Sequence, residues 1–171
     1  MPGNSKKILV CAIGNRIMGD DGFAQHVLEA LEKDENKNLN DIFDTGDFGT
    51  ANFTIANFLE DYDTVIFVDA VKKGSAPGTI HEIRINREDV RDDIDLTSEV
   101  YSFSFHESRL EELILFANVM KCLPEKIIII GCEPKNLEPD VELSPEVERS
   151  VGKVAKRIME LINEINKINN N

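Results

Sequence analysis

Positive charge is scarce in this sequence: 19 Lys+Arg stand against 32 Asp+Glu, a net charge of −13 across 171 residues. A field of that sign repels nucleic acid and anionic membrane surfaces, so neither is an expected partner. Long apolar runs are missing as well. The opening Met1-Pro-Gly-Asn-Ser-Lys-Lys leads straight into a short strand pattern, without the apolar stretch a signal peptide needs, and no later run approaches membrane-spanning length. The expectation is a soluble, cytoplasmic protein. Cysteine is sparse: Cys11, Cys122 and Cys132 are an odd number in no CxxC arrangement, which suits a reducing compartment and buried, chemically idle thiols. Of the three, Cys132 ends a strand-like run, where functional residues tend to gather. The common catalytic signatures are also absent. There is no HExxH helix and no GxSxG elbow, which excludes a zincin and an α/β-hydrolase.

What the sequence does contain is alternation. Lys7 to Ile13 reads as a buried strand and Gly22 to Lys33 as a helix with Phe23, Val27, Leu28 and Leu31 on one face. After a polar turn from Asp34 to Asn40 come a short strand at Asn40 to Asp44, a helix at Ala51 to Leu59 and the apolar strand Thr64 to Val68, with Asp69 at its end. Pro77-Gly78 marks a turn, Thr79 to Ile85 alternates like an edge strand, and Asn86 to Thr97 reads as a charged, mobile connection. A helix at Glu107 to Met120, an all-apolar strand at Lys126 to Ile130 and a long helix opened by Ser144-Pro145 complete the pattern. The last helix carries Val147, Val151, Val154, Ile158, Leu161, Ile162 and Ile165 on one face. No repeat or linker divides residues 1–171, so the expected architecture is one α/β domain: a mostly parallel, doubly wound sheet with one antiparallel edge.

In such a sheet, ligands bind in the crevice at the carboxyl ends of the strands. Three polar groups fall there: Asp20/Asp21 after the first strand, Asp69 after the third, and His106 just before a helix. Gly14 and Gly19 bracket the first loop in the manner of a phosphate cradle, but neither GxGxxG nor GxxxxGK(S/T) is satisfied, and Asp20 occupies the place of the phosphate-gripping lysine. Two carboxylates would repel a phosphate. Asp20 can serve as an N-cap for the following helix, which leaves Asp21 to face the crevice. Asp69 interrupts a buried run, and a buried charge needs a partner. His106, in "YSFSFHESRL", is by itself as compatible with a satisfied core residue; beside two carboxylates it completes a set suited to a first-row divalent ion such as nickel, zinc or iron.

Five blocks carry a family resemblance: "GNRIMGDDGFA" from Gly14, "VIFVDAV" from Val65, "APGTI" from Ala76, "FSFHESRL" from Phe103 and "GCEPKNLEPDVELSPEV" from Gly131. In order and spacing they resemble the hydrogenase maturation endopeptidases, over essentially the whole chain. That resemblance implies a three-layer α/β/α sandwich with a mostly parallel twisted sheet and one antiparallel edge strand. It also implies an aspartic-type processing endopeptidase that removes a C-terminal extension from the precursor of the large subunit of a nickel–iron hydrogenase after nickel insertion. Nickel recognition in the family maps onto Asp21, Asp69 and His106, with the metal brought by the precursor rather than held by the enzyme. The subtype resembled most is the archaeal one serving the hydrogenase that reduces coenzyme F-420.

Two departures from the family pattern stand out. Asp21 takes a place where Glu is common, and a loop that commonly reads D-G-G-T is here Asp44-Thr45-Gly46-Asp47-Phe48-Gly49-Thr50, with Gly46 and Gly49 as turn residues. Two other readings compete. A noncatalytic chaperone that checks nickel loading would leave the precursor intact, and a flavodoxin-like module would bind flavin or nucleotide, against which the acidic loop argues.

Overall fold

The structure is a computed structural model that describes residues 7–33, 42–50, 55–90 and 110–169. In chain order it comprises β1 (Ile8–Ala12), a 3-10 turn (Gly19–Gly22), α1 (Phe23–Lys33), β2 (Phe43–Asp47), α2 (Ala56–Leu59), β3 (Thr64–Ala70) and β4 (Ile80–Asn86). A second 3-10 turn (Arg87–Asp89), α3 (Leu110–Val119), β5 (Lys126–Cys132) and α4 (Pro145–Asn169) follow. The strands are ordered β2-β1-β3-β5-β4. The first four in that order run parallel, and β4 pairs antiparallel with β5, Ile80 opposite Cys132 and Asn86 opposite Lys126.

The strands are apolar throughout because both faces are covered. Leu9, Cys11, Ile13, Val65, Phe67, Ile127 and Ile129 pack with α2 and α3 on one face. Ile8, Val10, Ala12, Ile66, Val68, Ile128 and Ile130 pack with α1 and α4 on the other. This period of two along each strand is what a three-layer α/β/α sandwich requires. The predicted face of α1 is buried in full, and so is that of α4 except for half-buried Val151. Arg157 of α4 forks onto Glu82 of β4, Nε at 2.8 Å and Nη2 at 3.1 Å, and ties the antiparallel edge to the helix layer. The Arg157 guanidinium holds the Glu82 carboxyl below the usual carboxylate range, with Arg84 adding to it.

Several sequence expectations shift. The second strand is Phe43–Asp47, not Asn40 to Asp44, because its register is set by backbone pairing with β1, Ile8 opposite Phe43 and Ala12 opposite Asp47. Gly46 is therefore a strand residue, whereas Gly49, at φ +55°, is a turn residue as expected. β3 runs on through Asp69 to Ala70, and β5 through Cys132, so Asp69 stands inside the ladder opposite Gly131. The described start of the charged connection, Arg87–Asp89, is a 3-10 turn closed by a capping box between Asn86 and Asp89. The polar turn at 34–40, the first residues of the second helix, the connection from 91 onward and His106 lie outside the described residues.

The three thiols are buried, as expected, and uninvolved in disulfides. Burial pushes the Cys132 thiol up to about 12 and the Cys11 thiol higher still. A folded chain thus keeps these thiols protonated at a pH where the unfolded chain ionises them. The stability they carry is intact below the unfolded value and drains away as pH rises beyond it. Cys132 alone should cost about 1.5 kcal/mol of unfolding free energy between pH 7 and pH 10. Urea titrations across that range should show a shallower alkaline slope for Cys132→Ser than for the unsubstituted chain.

Candidate active site

Two loops at the carboxyl end of the sheet are knitted into one body. In the loop after β1, Gly19 N donates to the Asp140 carbonyl (2.8 Å) and Asp20 N to the Asn136 carbonyl (2.8 Å), while Asp140 N returns a bond to the Ile17 carbonyl (3.1 Å). The Asp20 side chain completes the seam. Its Oδ2 accepts from Lys135 N (2.8 Å), Asn136 N (2.8 Å) and Ser144 Oγ (2.9 Å), and its Oδ1 from Ser144 N (2.7 Å). Asp20 is completely buried.

This corrects the sequence-based role of Asp20. It was expected to cap the helix that follows it, but it gives that helix only its backbone carbonyl, which Phe23 N meets. Its carboxylate instead satisfies the β5–α4 loop and the residue that opens α4. Ser144 does begin the helix, its carbonyl accepting from Glu148 N at 2.9 Å, yet its hydroxyl is turned to Asp20.

Asp21 is directed differently. Its Oδ2 accepts from Asn15 N at 2.8 Å, across the mouth of the loop. Gly14 makes that fold-back possible: at φ +134° it adopts a conformation L side chains avoid, and a Cβ there would overlap the Asp21 carbonyl oxygen. Gly19, at φ +56°, is needed for a similar reason, since a Cβ would come within 2.7 Å of the Asn136 carbonyl oxygen. The two glycines that resemble a phosphate cradle serve close backbone contact, one with the loop itself and one with its neighbour.

Asp69 is 1% exposed, and its Oδ1 accepts from the next residue's N–H, Ala70, at 2.8 Å. The loop carrying Asp21 is bonded beside it: Ile13 N donates to the Val68 carbonyl at 2.9 Å, one residue short of Asp69. Asp21 and Asp69 thus belong to the same end of adjacent strands. Among the described residues no three His, Cys, Asp or Glu side chains form a metal-binding group, and His106 lies outside those residues. α3 leads by a short connection into the start of β5, and its first residue, Leu110, is buried in the core on the face of the sheet that α2 and α3 cover.

The chain matches the family model HycI, described as hydrogenase maturation protease, over residues 25–161. The chain belongs to the hydrogenase maturation protease family. A solved structure of a hydrogenase 2 maturation peptidase from a Thaumarchaeota archaeon superposes with a TM-score of 0.71 at 36% identity, covering 92% of this chain and 99% of that one. The coenzyme F420 hydrogenase subunit delta of Methanothermobacter thermautotrophicus is 29% identical over 91% of this chain and 94% of its own length. The hydrogenase expression/formation protein HupD of Rhizobium leguminosarum is 31% identical over 80% of this chain, which spans only 64% of HupD. Maturation-protease membership agrees with the resemblance of the five sequence blocks, and the strand order and covered faces agree with the sandwich that resemblance implies.

Two further residues at this end escaped the sequence reading. Gln25 of α1, buried, donates through Nε2 to the Gly14 carbonyl and to Asp47 Oδ1, 3.0 Å each, and so joins the first loop to the end of β2. Glu133 follows β5 directly and is 5% exposed. Its sequence signal was the one that flagged Asp69: a carboxylate abutting an apolar strand, here "IIIIGCE".

Proposed function

We propose that this chain is a processing endopeptidase that removes a C-terminal extension from the precursor of the large subunit of a nickel–iron hydrogenase once nickel has been inserted. The carrying observation is the placement of two carboxylates, Asp21 and Asp69, at the carboxyl ends of adjacent parallel strands, each held in orientation by a backbone N–H. Carboxylates pair with imidazole in sites for first-row divalent ions. Nickel arrives as part of the substrate, ligated by the precursor, and Asp21, Asp69 and His106 complete its surroundings. Docking through the ion would bring the scissile bond to the crevice and make the attack effectively unimolecular.

A carboxylate of the pair would accept the proton of the attacking water as general base, which places the enzyme in the aspartic-type grouping. The relation to the F420 hydrogenase subunit delta supports the archaeal coenzyme F-420 hydrogenase as the one served. No helix among the described residues is long and apolar enough to cross a membrane, and the net charge of −13 disfavours anionic surfaces, in keeping with action on a precursor in the cytoplasm.

The test is to incubate the chain with precursor prepared with and without nickel and read intact mass. A shortened subunit only in the nickel-loaded sample is the expected result. An intact subunit in both, despite complex formation, would mark the noncatalytic nickel-checking chaperone instead.

A further inference from the structure

Glu133 is a buried carboxylate with its acceptors committed to one short stretch of chain. Oε2 accepts from Lys73 N at 2.7 Å and Oε1 from Gly74 N at 3.1 Å, while His81 Nε2 lies 3.6 Å from Oε2. The backbone of Glu133 reaches the same loop from the other side: Gly78 N donates to its carbonyl (2.8 Å), and its own N–H donates to the Thr79 carbonyl (2.9 Å). One residue therefore holds both ends of the β3–β4 loop. That loop begins two residues after Asp69, and its first residue is fixed by the same strand, Val71 N donating to the Cys132 carbonyl at 2.9 Å. Val71 also packs onto Gly131, where a Cβ would stand 2.7 Å from its methyl group. Since Gly131 is the ladder partner of Asp69, the exit of β3 is clamped from below by Gly131 and from beyond by Glu133.

We infer that Glu133 is a positioning residue for the crevice: by holding the Lys73–Gly74 backbone it fixes the exit of β3 and, with it, the direction in which Asp69 is presented. This deepens the protease reading and rests on it for its catalytic consequence. Charged acceptors bind backbone N–H groups more strongly than neutral ones, and a carboxylate buried to this degree is retained only where such bonds repay its desolvation. Glu133 makes no direct contact with the reacting atoms in this account.

Three proteins decide it: the unsubstituted chain, Glu133→Ala and Glu133→Gln, each assayed on nickel-loaded precursor and by amide hydrogen exchange in NMR. Glu133→Ala should lower kcat by about tenfold or more with KM within about twofold, as expected for lost alignment rather than lost docking. The Lys73 and Gly74 amides should lose protection while those of β5 keep theirs. Glu133→Gln retains the shape and one acceptor oxygen, so it should recover most of kcat and protect one of the two amides. If Glu133→Ala does not fold, Glu133→Gln carries the test, and unchanged protection of both amides in it overturns the proposal. An unchanged kcat in folded Glu133→Ala, or equal exchange of Lys73 and Gly74 in all three proteins, also overturns it. Should the unsubstituted chain leave the precursor intact, the protease reading falls, and the exchange comparison by itself decides whether Glu133 holds the loop.

Discussion

An Asp69→Asn chain should fold, melt at or above the temperature of the unsubstituted protein, and trim nickel-loaded precursor about 100-fold more slowly or not at all. The two halves of that result come from one feature. Asp69 is a carboxylate with 1% exposure inside a strand whose neighbours on either side are apolar. Holding a charge there is a standing cost to the fold. Asparagine has the same shape, can keep the Oδ1 acceptor for Ala70 N–H at 2.8 Å, and carries no charge to desolvate. Stability is therefore maintained or gained while the group proposed to meet the metal and take a proton is lost. Intact mass of the precursor and a thermal melt of the variant read both halves. Normal trimming by a folded Asp69→Asn or His106→Ala chain would remove these residues from the mechanism. A melt lowered in step with activity would recast Asp69 as structural.

How much of this could be read from the sequence follows from the range of the interactions involved. Strands β1, β3 and β5 and the long α4 were legible because burial on two faces, or on one helical stripe, writes a local apolar pattern. β2 was misplaced by three residues at both ends since Phe43–Asp47 is largely exposed and owes its position to pairing with β1, a contact that leaves little mark on composition. Asp21 and Asp69 were legible as acids at strand ends, where a polar residue breaks an apolar run. That Asp20 serves the fold was also legible, but its task there was not. Its partners Lys135, Asn136 and Ser144 lie 115 to 124 residues away, whereas the cap assigned to it is a motif of adjacent residues. Glu133 was missed although its sequence context matched that of Asp69, because its partners in the loop at 73–74 are backbone amides, which no side-chain pattern reveals.

Asp20→Ala should cost about 3–4 kcal/mol and lower the melting temperature by about 10 °C, several times the effect of losing a helix cap. Three backbone N–H groups, of Lys135, Asn136 and Ser144, together with the Ser144 hydroxyl, converge on this one buried carboxylate. Removing it leaves these donors facing a small cavity at the start of α4, and buried unsatisfied donors are more costly than the same bonds are favourable. Asp20→Asn should be milder. With its oxygen in the Oδ2 position it keeps the bonds from Lys135, Asn136 and the Ser144 hydroxyl, and its amide opposes only the Ser144 N–H. The order of stability should be unsubstituted, then Asn, then Ala, measured by urea unfolding. Asp21→Asn should show the converse, trimming lost with a smaller loss of unfolding free energy than Asp20→Ala, because Asp21 is only half-buried and an asparagine oxygen there can still accept from Asn15 N. Adjacent carboxylates would then separate cleanly in two assays: Asp20 in the unfolding curve and Asp21 in the mass of the precursor. An Asp20→Ala protein as stable as the unsubstituted chain would show that the seam between the two loops is held by its backbone bonds alone.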